Sequence, residues 1–393
     1  MAFAGTATLP WIALRFSGWH GEPLAVAAVS GLAILGAAFL LSWAAEVAQM
    51  DISQSLALAF LALISILPEY AVDMVFAWKA GKELALPLAQ QQGYAGLAAA
   101  NMTGANRLLI GLGWSAVVLI YWARSRHRSV TIEPGQSTEM TFLALATLWS
   151  FTIPLRGEIG MLDLVVLLGL FVVYMWRAST AEHEEPELTG PPLALSVLPR
   201  LTRRLVTVGF FVWAALVILA SAEPFAEGLV ATGKHLGIEE FLLVQWLAPL
   251  ASEAPEFIVA SLFALRGNPS MGLGTLISSK VNQWTLLVAM LPLVFSFGAG
   301  HPVGMALDAR QVEEVFLTSA QSLFALAVVL NFEMSMWEAG ALIGLFITQL
   351  FFTQPEIRYA YAIAYVVLTV VIILRDPSRV SNLIHLVRTG GRR

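Results

Sequence analysis

Four carboxylates stand inside long apolar segments of this chain, Glu69 with Asp73 and Glu253 with Glu256. An ionised side chain at mid-bilayer costs at least about 2.5–3.5 kcal/mol, so such residues turn toward a bundle interior and mark a pathway. Spacings of four and three residues put each pair on one helix face. Ser65 and Ser252 sit one turn before Glu69 and Glu256 on those faces. Pro68, Pro249 and Pro255 lack an N–H, which leaves the carbonyls of Ile64, Gln245 and Ala251 without their helical partners. Carboxylates, hydroxyls and freed carbonyls together make an all-oxygen ligand set, which suits hard cations such as calcium. Protons compete for clustered, dehydrated carboxylates.

The elements that must hold these residues are membrane helices. Of the 393 residues, 58% are hydrophobic and only 12% are charged, against about 25% charged in a soluble domain. About eleven stretches are long and apolar enough to cross a bilayer. They run over 24–46, 53–78, 94–121, 137–155 and 159–176, then 205–232, 240–265, 270–298, 312–331, 335–353 and 357–374. The polar interval 177–204, with Glu182, Glu184, Glu185, Glu187 and the pair Pro191–Pro192, reads as a linker between halves. The expected divisions are an N-terminal segment 1–23, a first repeat 24–176, the linker, a second repeat 205–353, and an extra helix with a basic tail, 354–393. Residues 1–20 lack the pattern of a cleaved signal.

Lysines and arginines near the span ends favour an N-terminus outside and a C-terminus in the cytoplasm, in a membrane of the prokaryotic inner type. Five spans per half is an odd number, so the two halves are inverted relative to one another. The chain has no cysteine, and its six histidines fall in loops or termini, without metal-ligand spacing. No HExxH, GxSxG or P-loop is present, and adjacent Ser279 and Lys280 diverge on a helix and form no dyad. Neither an enzyme nor a nucleic-acid binder is therefore expected, and no cofactor is. The partners are the lipid bilayer and inorganic cations; oligomeric state is not encoded in any feature of the chain.

The halves repeat one another. ALISILPEYAVD (62–73) matches PLASEAPEFIVA (249–260), each carrying Pro-Glu inside the second span of its half. AANMTGANRLLIGLGW (99–114) matches LGTLISSKVNQWTLLV (273–288) in the third spans, at an offset near 174. The first spans correspond loosely through Glu46 and Glu223 or Glu227. Broken helices near the midplane, where inverted repeats meet, are where secondary transporters place their ion sites.

These paired segments resemble the α-repeats of the cation/calcium exchanger superfamily, which includes sodium/calcium exchangers. The resemblance implies an all-α integral membrane fold of two inverted five-helix repeats, with the eleventh helix as an addition. It implies secondary antiport by alternating access, exchanging calcium or a similar cation for protons or sodium. Glu69 and Glu256 fall on the two central cation-coordinating carboxylates, with Ser65 and Ser252 on the Thr/Ser before them. Asn101, Asn106 and Gly104 match the second segment of the first repeat, and Ser279 matches the second repeat.

Departures cluster around the positions that hold sodium in the family: Ile66 and Glu253, Ala105 and Leu109, Ser278, Lys280 at an Asn position, and Gln283 at a usual acidic one. They predict proton rather than sodium coupling. Arg107 and Lys280 are cations inside spans, each serving either as a salt-bridge partner or as a functional charge. Counted with the four acids they leave a formal charge of −2, which one divalent cation neutralises. Lys280 then acts as a tethered monovalent cation. Two other readings compete: a transport-dead sensor or scaffold that keeps the fold, and a membrane-embedded enzyme.

Overall fold

The computed structural model describes residues 2–17, 21–48, 50–51, 67–179, 188, 190–237 and 239–389. The main helices are α1 (Ala2–Phe16), α2 (Pro23–Ala48), α3 (Leu67–Glu83), α4 (Tyr94–Ser125), α5 (Ser137–Ser150), α6 (Met161–Ala178), α7 (Arg200–Leu236), α8 (Glu240–Arg266), α9 (Pro269–Ala299), α10 (Ala309–Val329), α11 (Met336–Gln349), α12 (Pro355–Arg375) and α13 (Ser378–Thr389). Among the described residues seven of them, α2, α4, α6, α7, α9, α10 and α12, are long and apolar enough to cross a membrane. Broken α8 makes an eighth if its halves, Glu240–Ala254 and Glu256–Arg266, are joined. Helices α5 and α11 have 14 residues each, about 21 Å at 1.5 Å per residue, short of a 30 Å hydrocarbon core. Most of the expected span 53–78 lies outside the described residues.

The chain forms two compact units, residues 1–76 with 175–255, and 77–174 with 256–393. The first is built on α1, α2 and α7. Small residues let these helices approach closely. A Cβ at Gly228 of α7 would lie 2.9 Å from the Ala27 backbone of α2, and one at Gly36 of α2 would lie 2.6 Å from the Ala4 carbonyl of α1. Trp213 Nε1 of α7 donates to Thr8 Oγ1 of α1 at 3.0 Å. Beyond α2, Asp51 receives Arg203 at 2.9 Å, Arg204 at 3.0 Å and Arg200 at 3.5 Å, all from the start of α7. The outer stripe of α7, including Leu205, Val208, Val212, Leu216 and Leu219, is exposed. An apolar stripe of that length is suited to lipid.

The second unit holds α4, α5, α9, α10, α11, α12 and α13, with the end of α3, most of α6 and the end of α8. Its polar loops are closed by side chains. Glu83 accepts the N–H groups of Gln92 and Tyr94 at the head of α4. Asp308 with Gln311, and Ser335 with Glu338, form capping boxes at the heads of α10 and α11. Arg379 of α13 donates to the carbonyls of Ala327 and Val328, both at 2.6 Å, and Asn382 donates to that of Leu330. Between them they cover the last turn of α10.

Two strand pairs tie the halves of the sequence together inside this unit. Strand β1 (Ser129–Thr131) pairs antiparallel with β4 (Glu333–Ser335), Ser129 opposite Ser335. Strand β2 (Glu158–Ile159) pairs with β3 (Met305–Ala306), Glu158 opposite Ala306. The connection between third and fourth spans of one half thus pairs, both times, with the connection between fourth and fifth spans of the other.

Candidate functional site

The predicted residues fall in both units, on α3 and the first part of α8 in one and on α4, the end of α8 and α9 in the other. In the first unit Glu69 and Asp73 of α3 are each 1% exposed, with Tyr70 buried between them. Ser252 and Glu253 of α8 are also buried. Ser252 Oγ donates back to the carbonyls of Ala248 and Pro249, both at 3.2 Å. Ser65, expected one turn before Glu69, lies outside the described residues.

In the second unit Glu256, just past Pro255 in α8, accepts from Ser279 Oγ of α9 at 2.5 Å through Oε2. This joins the carboxylate and the small polar residue that the sequence matches to the two segments of the second repeat. One residue on, Lys280 is fully buried. Its ammonium donates to Asn106 Oδ1 of α4 at 2.5 Å and to the Asn106 carbonyl at 3.4 Å, and stands 4.2 Å from the Trp284 ring centroid. Asn106 Nδ2 donates to the Met102 carbonyl at 2.8 Å, which turns the amide oxygen toward the lysine. Asn101 and Gln283 are buried in the same two helices.

Asn106 and Lys280 are 174 residues apart, the offset that relates the third spans, so the pair joins the same position of the two halves. Both third spans also change winding at matching positions. The α-helix of α4 becomes a π-turn over Leu109–Trp114, and that of α9 over Gln283–Leu287. Leu109 and Gln283 are again 174 apart. Such bulges recur at functional sites because they displace the carbonyl ladder. Nothing in the apolar periodicity signals them.

The sequence reading counts Arg107 with the four acids. The structure gives it a further acid: Arg107 Nη2 meets Glu314 Oε2 of α10 at 2.5 Å. Glu314 also pairs with Arg358 of α12, whose Nε meets Glu313 Oε1 at 2.5 Å. These residues are all at most 4% exposed. Glu313, Glu314 and Arg358 carry no Pro-Glu signature. A signal was available at the same offset: T-E-M-T-F-L (138–143) matches V-E-E-V-F-L (312–317), pairing Glu139 with Glu313. In the first half Tyr174 OH reaches Glu139 at 3.5 Å and Ser278 Oγ at 2.9 Å. Among the described residues no three His, Asp or Glu side chains converge as a metal cage. What is assembled is a hydroxyl–carboxylate pair, an ammonium–amide pair and a buried four-charge cluster.

The sodium/calcium exchanger protein family matches residues 23–180 and 206–354. The crystal structure of the H+/Ca2+ exchanger CAX is 45% identical, covers 99% of this chain and 96% of its own, and superposes with a TM-score of 0.93. Native YfkE is 14% identical over 89% of this chain and 97% of its own, with a TM-score of 0.62. The sodium-calcium exchanger NCX_Mj is 16% identical over 84% of this chain and 100% of its own, with a TM-score of 0.55; the last two share the fold. No curated protein matches the chain. These relatives are membrane cation exchangers rather than enzymes. With its apolar helices and paired Pro-Glu segments, the chain is an integral membrane protein that belongs to the sodium/calcium exchanger family.

Proposed function

We propose that the chain is a secondary antiporter that exchanges calcium, or a similar divalent cation, for protons by alternating access. The observation that carries the coupling is Lys280. Its buried ammonium, 2.5 Å from Asn106 Oδ1, stands at a position where the family has an amide. It acts there as a built-in monovalent cation and makes sodium unnecessary. An ammonium serves this purpose as a compact point charge. Likeness to the H+/Ca2+ exchanger CAX at 45% identity supports the same reading.

In this proposal Glu69 and Glu256 are the central ligands of the transported cation, with Ser65, Ser252, Asp73, Glu253, Asn101, Asn106, Ser279 and Gln283 around them. The five-plus-five design has the two repeats inverted, N-terminus outside and C-terminus cytoplasmic, in an inner-type plasma membrane. The crosswise strand pairs, each joining non-equivalent connections of the two halves, support that reading. So do bulges at matching positions.

The test is flux in proteoliposomes with calcium, sodium, potassium and proton gradients imposed one at a time. Calcium uptake driven by a pH gradient and indifferent to sodium is the expected result. Uptake that follows a sodium gradient and ignores pH overturns the proton assignment. No flux of any cation favours the scaffold reading.

A further inference from the structure

The family match ends at residue 354, and α12 begins at Pro355. This helix is the addition to the repeated plan, and it brings one charge into the second unit. Arg358 is 4% exposed. Its guanidinium is shared by two adjacent carboxylates of α10, with Nε on Glu313 at 2.5 Å and Nη2 on Glu314. Glu314 in turn holds Arg107 of α4 through its other oxygen at 2.5 Å. Arg107, Glu314, Arg358 and Glu313 thus form a chain of alternating charge, and Arg310 of α10 lies within electrostatic reach of both carboxylates.

The far end of this cluster is next to the Lys280 contact. Arg107 follows Asn106 in the chain, and successive helical residues point about 100° apart. Asn106 therefore faces α9 and receives the ammonium, while Arg107 faces α10 and receives the carboxylate. The Arg107 carbonyl also accepts Gln321 Nε2 of α10 at 3.2 Å. Helix α4 is thus held from α10 by both side chain and backbone at one residue, directly before its winding changes at Leu109. Any rotation of α4 about its axis moves Asn106 and breaks the Arg107 contacts together.

We propose that Arg358 is a positioning residue for ion exchange. Through Glu314 and Arg107, the appended helix fixes the azimuth of α4 and so sets where Asn106 holds the Lys280 ammonium. A guanidinium suits the task because its planar fork reaches two carboxylates at once, which an ammonium on a single axis does not. The inference rests on the calcium-for-proton reading above.

The test compares wild type, the charge-balanced double variant Arg358→Gln with Glu313→Gln, and Arg358→Lys, all full length in proteoliposomes. The double variant removes one charge of each sign and leaves Arg107 with Glu314. Expected is a rise of at least fivefold in KM for calcium, with Vmax per inserted molecule changed less than twofold. Arg358→Lys is expected to restore part of that rise. Unchanged KM in the double variant, or a fall in Vmax at constant KM, overturns the proposal and makes α12 a structural cover only. Should the double variant fail to insert, Arg358→Lys is scored on the same two quantities, and wild-type KM there overturns the proposal. Wild type that carries no calcium refutes the functional reading instead, which keeps the two failures distinct.

Discussion

The third spans α4 and α9 share a backbone and differ in charge. Both turn from α to π winding at the same repeat position. Yet α4 presents Asn106 and Arg107 there, and α9 presents Lys280 and Val281. The ammonium of α9 is received by α4, whereas the guanidinium of α4 is received by α10. The fourth spans repeat the lesson: Glu139 is met by a tyrosine hydroxyl, and its counterpart Glu313 by an arginine from outside the repeat. In these two pairs of helices the spacing of polar groups is kept while the groups that carry charge differ. Such differences are tolerable because helix packing in a membrane depends on small residues and shape rather than on sign.

The strongest test of equivalence lies in the second spans. Glu69→Gln and Glu256→Gln should each lower calcium flux by at least about 100-fold, the scale of losing a charge-assisted contact worth about 3 kcal/mol. Both variants should still insert and purify. Wild-type flux in either variant would remove that residue from the ligand set. The next test makes the third spans less unlike. Lys280→Ala should cut proton-driven flux about tenfold at zero sodium, and an added monovalent cation should restore part of it. The hydrogen bond from the charged ammonium to Asn106 Oδ1 is of a kind worth about 1.5–3 kcal/mol, so removing it should be visible. Normal flux with unchanged ion dependence would reduce Lys280 to a packing role.

A smaller effect probes the bulges. Thr285 of α9 corresponds to Gly111 of α4. A Cβ at Gly111 would fall 2.3 Å from the Phe346 ring. Gly111→Thr should therefore destabilise the fold by about 1–3 kcal/mol, read as a lower melting temperature in detergent. Unchanged melting would mean that the two bulges are interchangeable. The smallest effect compares the first spans. Asp51, after α2, is gripped by the arginines that open α7. Hydrogen bonding from Arg203 holds its carboxyl below the usual range, at about 2. That stabilisation is complete above the ordinary carboxylate range and is lost as pH falls through about 2. Asp51→Asn should cost about 0.2–1 kcal/mol near neutral pH, with the difference vanishing below about pH 2. A difference that persists there would place its origin in packing rather than in charge.

The membrane class, the repeated Pro-Glu segments and the amide-rich third spans were legible because each leaves a local mark: an apolar run, an imino acid or a cluster of small polar residues. Ser279 and Glu256 were each singled out by the resemblance to the exchanger repeats, but the contact between them is visible only in the structure. The capture of Arg107 by Glu314 was not legible, because partners 207 residues apart leave no local pattern. Nor were the π-turns, whose residues LIGLGW and QWTLL continue the apolar character of the helices around them. The β pairs were missed because strands of two or three residues are shorter than any alternation can reveal.

Those crosswise β pairs constrain the order in which the protein can be made. Ser129 and its partner Ser335 are separated by 206 residues. At about 5–20 residues per second a ribosome takes roughly 10–40 s to deliver the second after the first. Throughout that interval β1 is an open edge, a template for mispairing with another chain. Its brevity limits that hazard. A nascent first half is thus held unfinished at its polar rim until the second half emerges, which makes completion of the rim a late, whole-chain event in biogenesis.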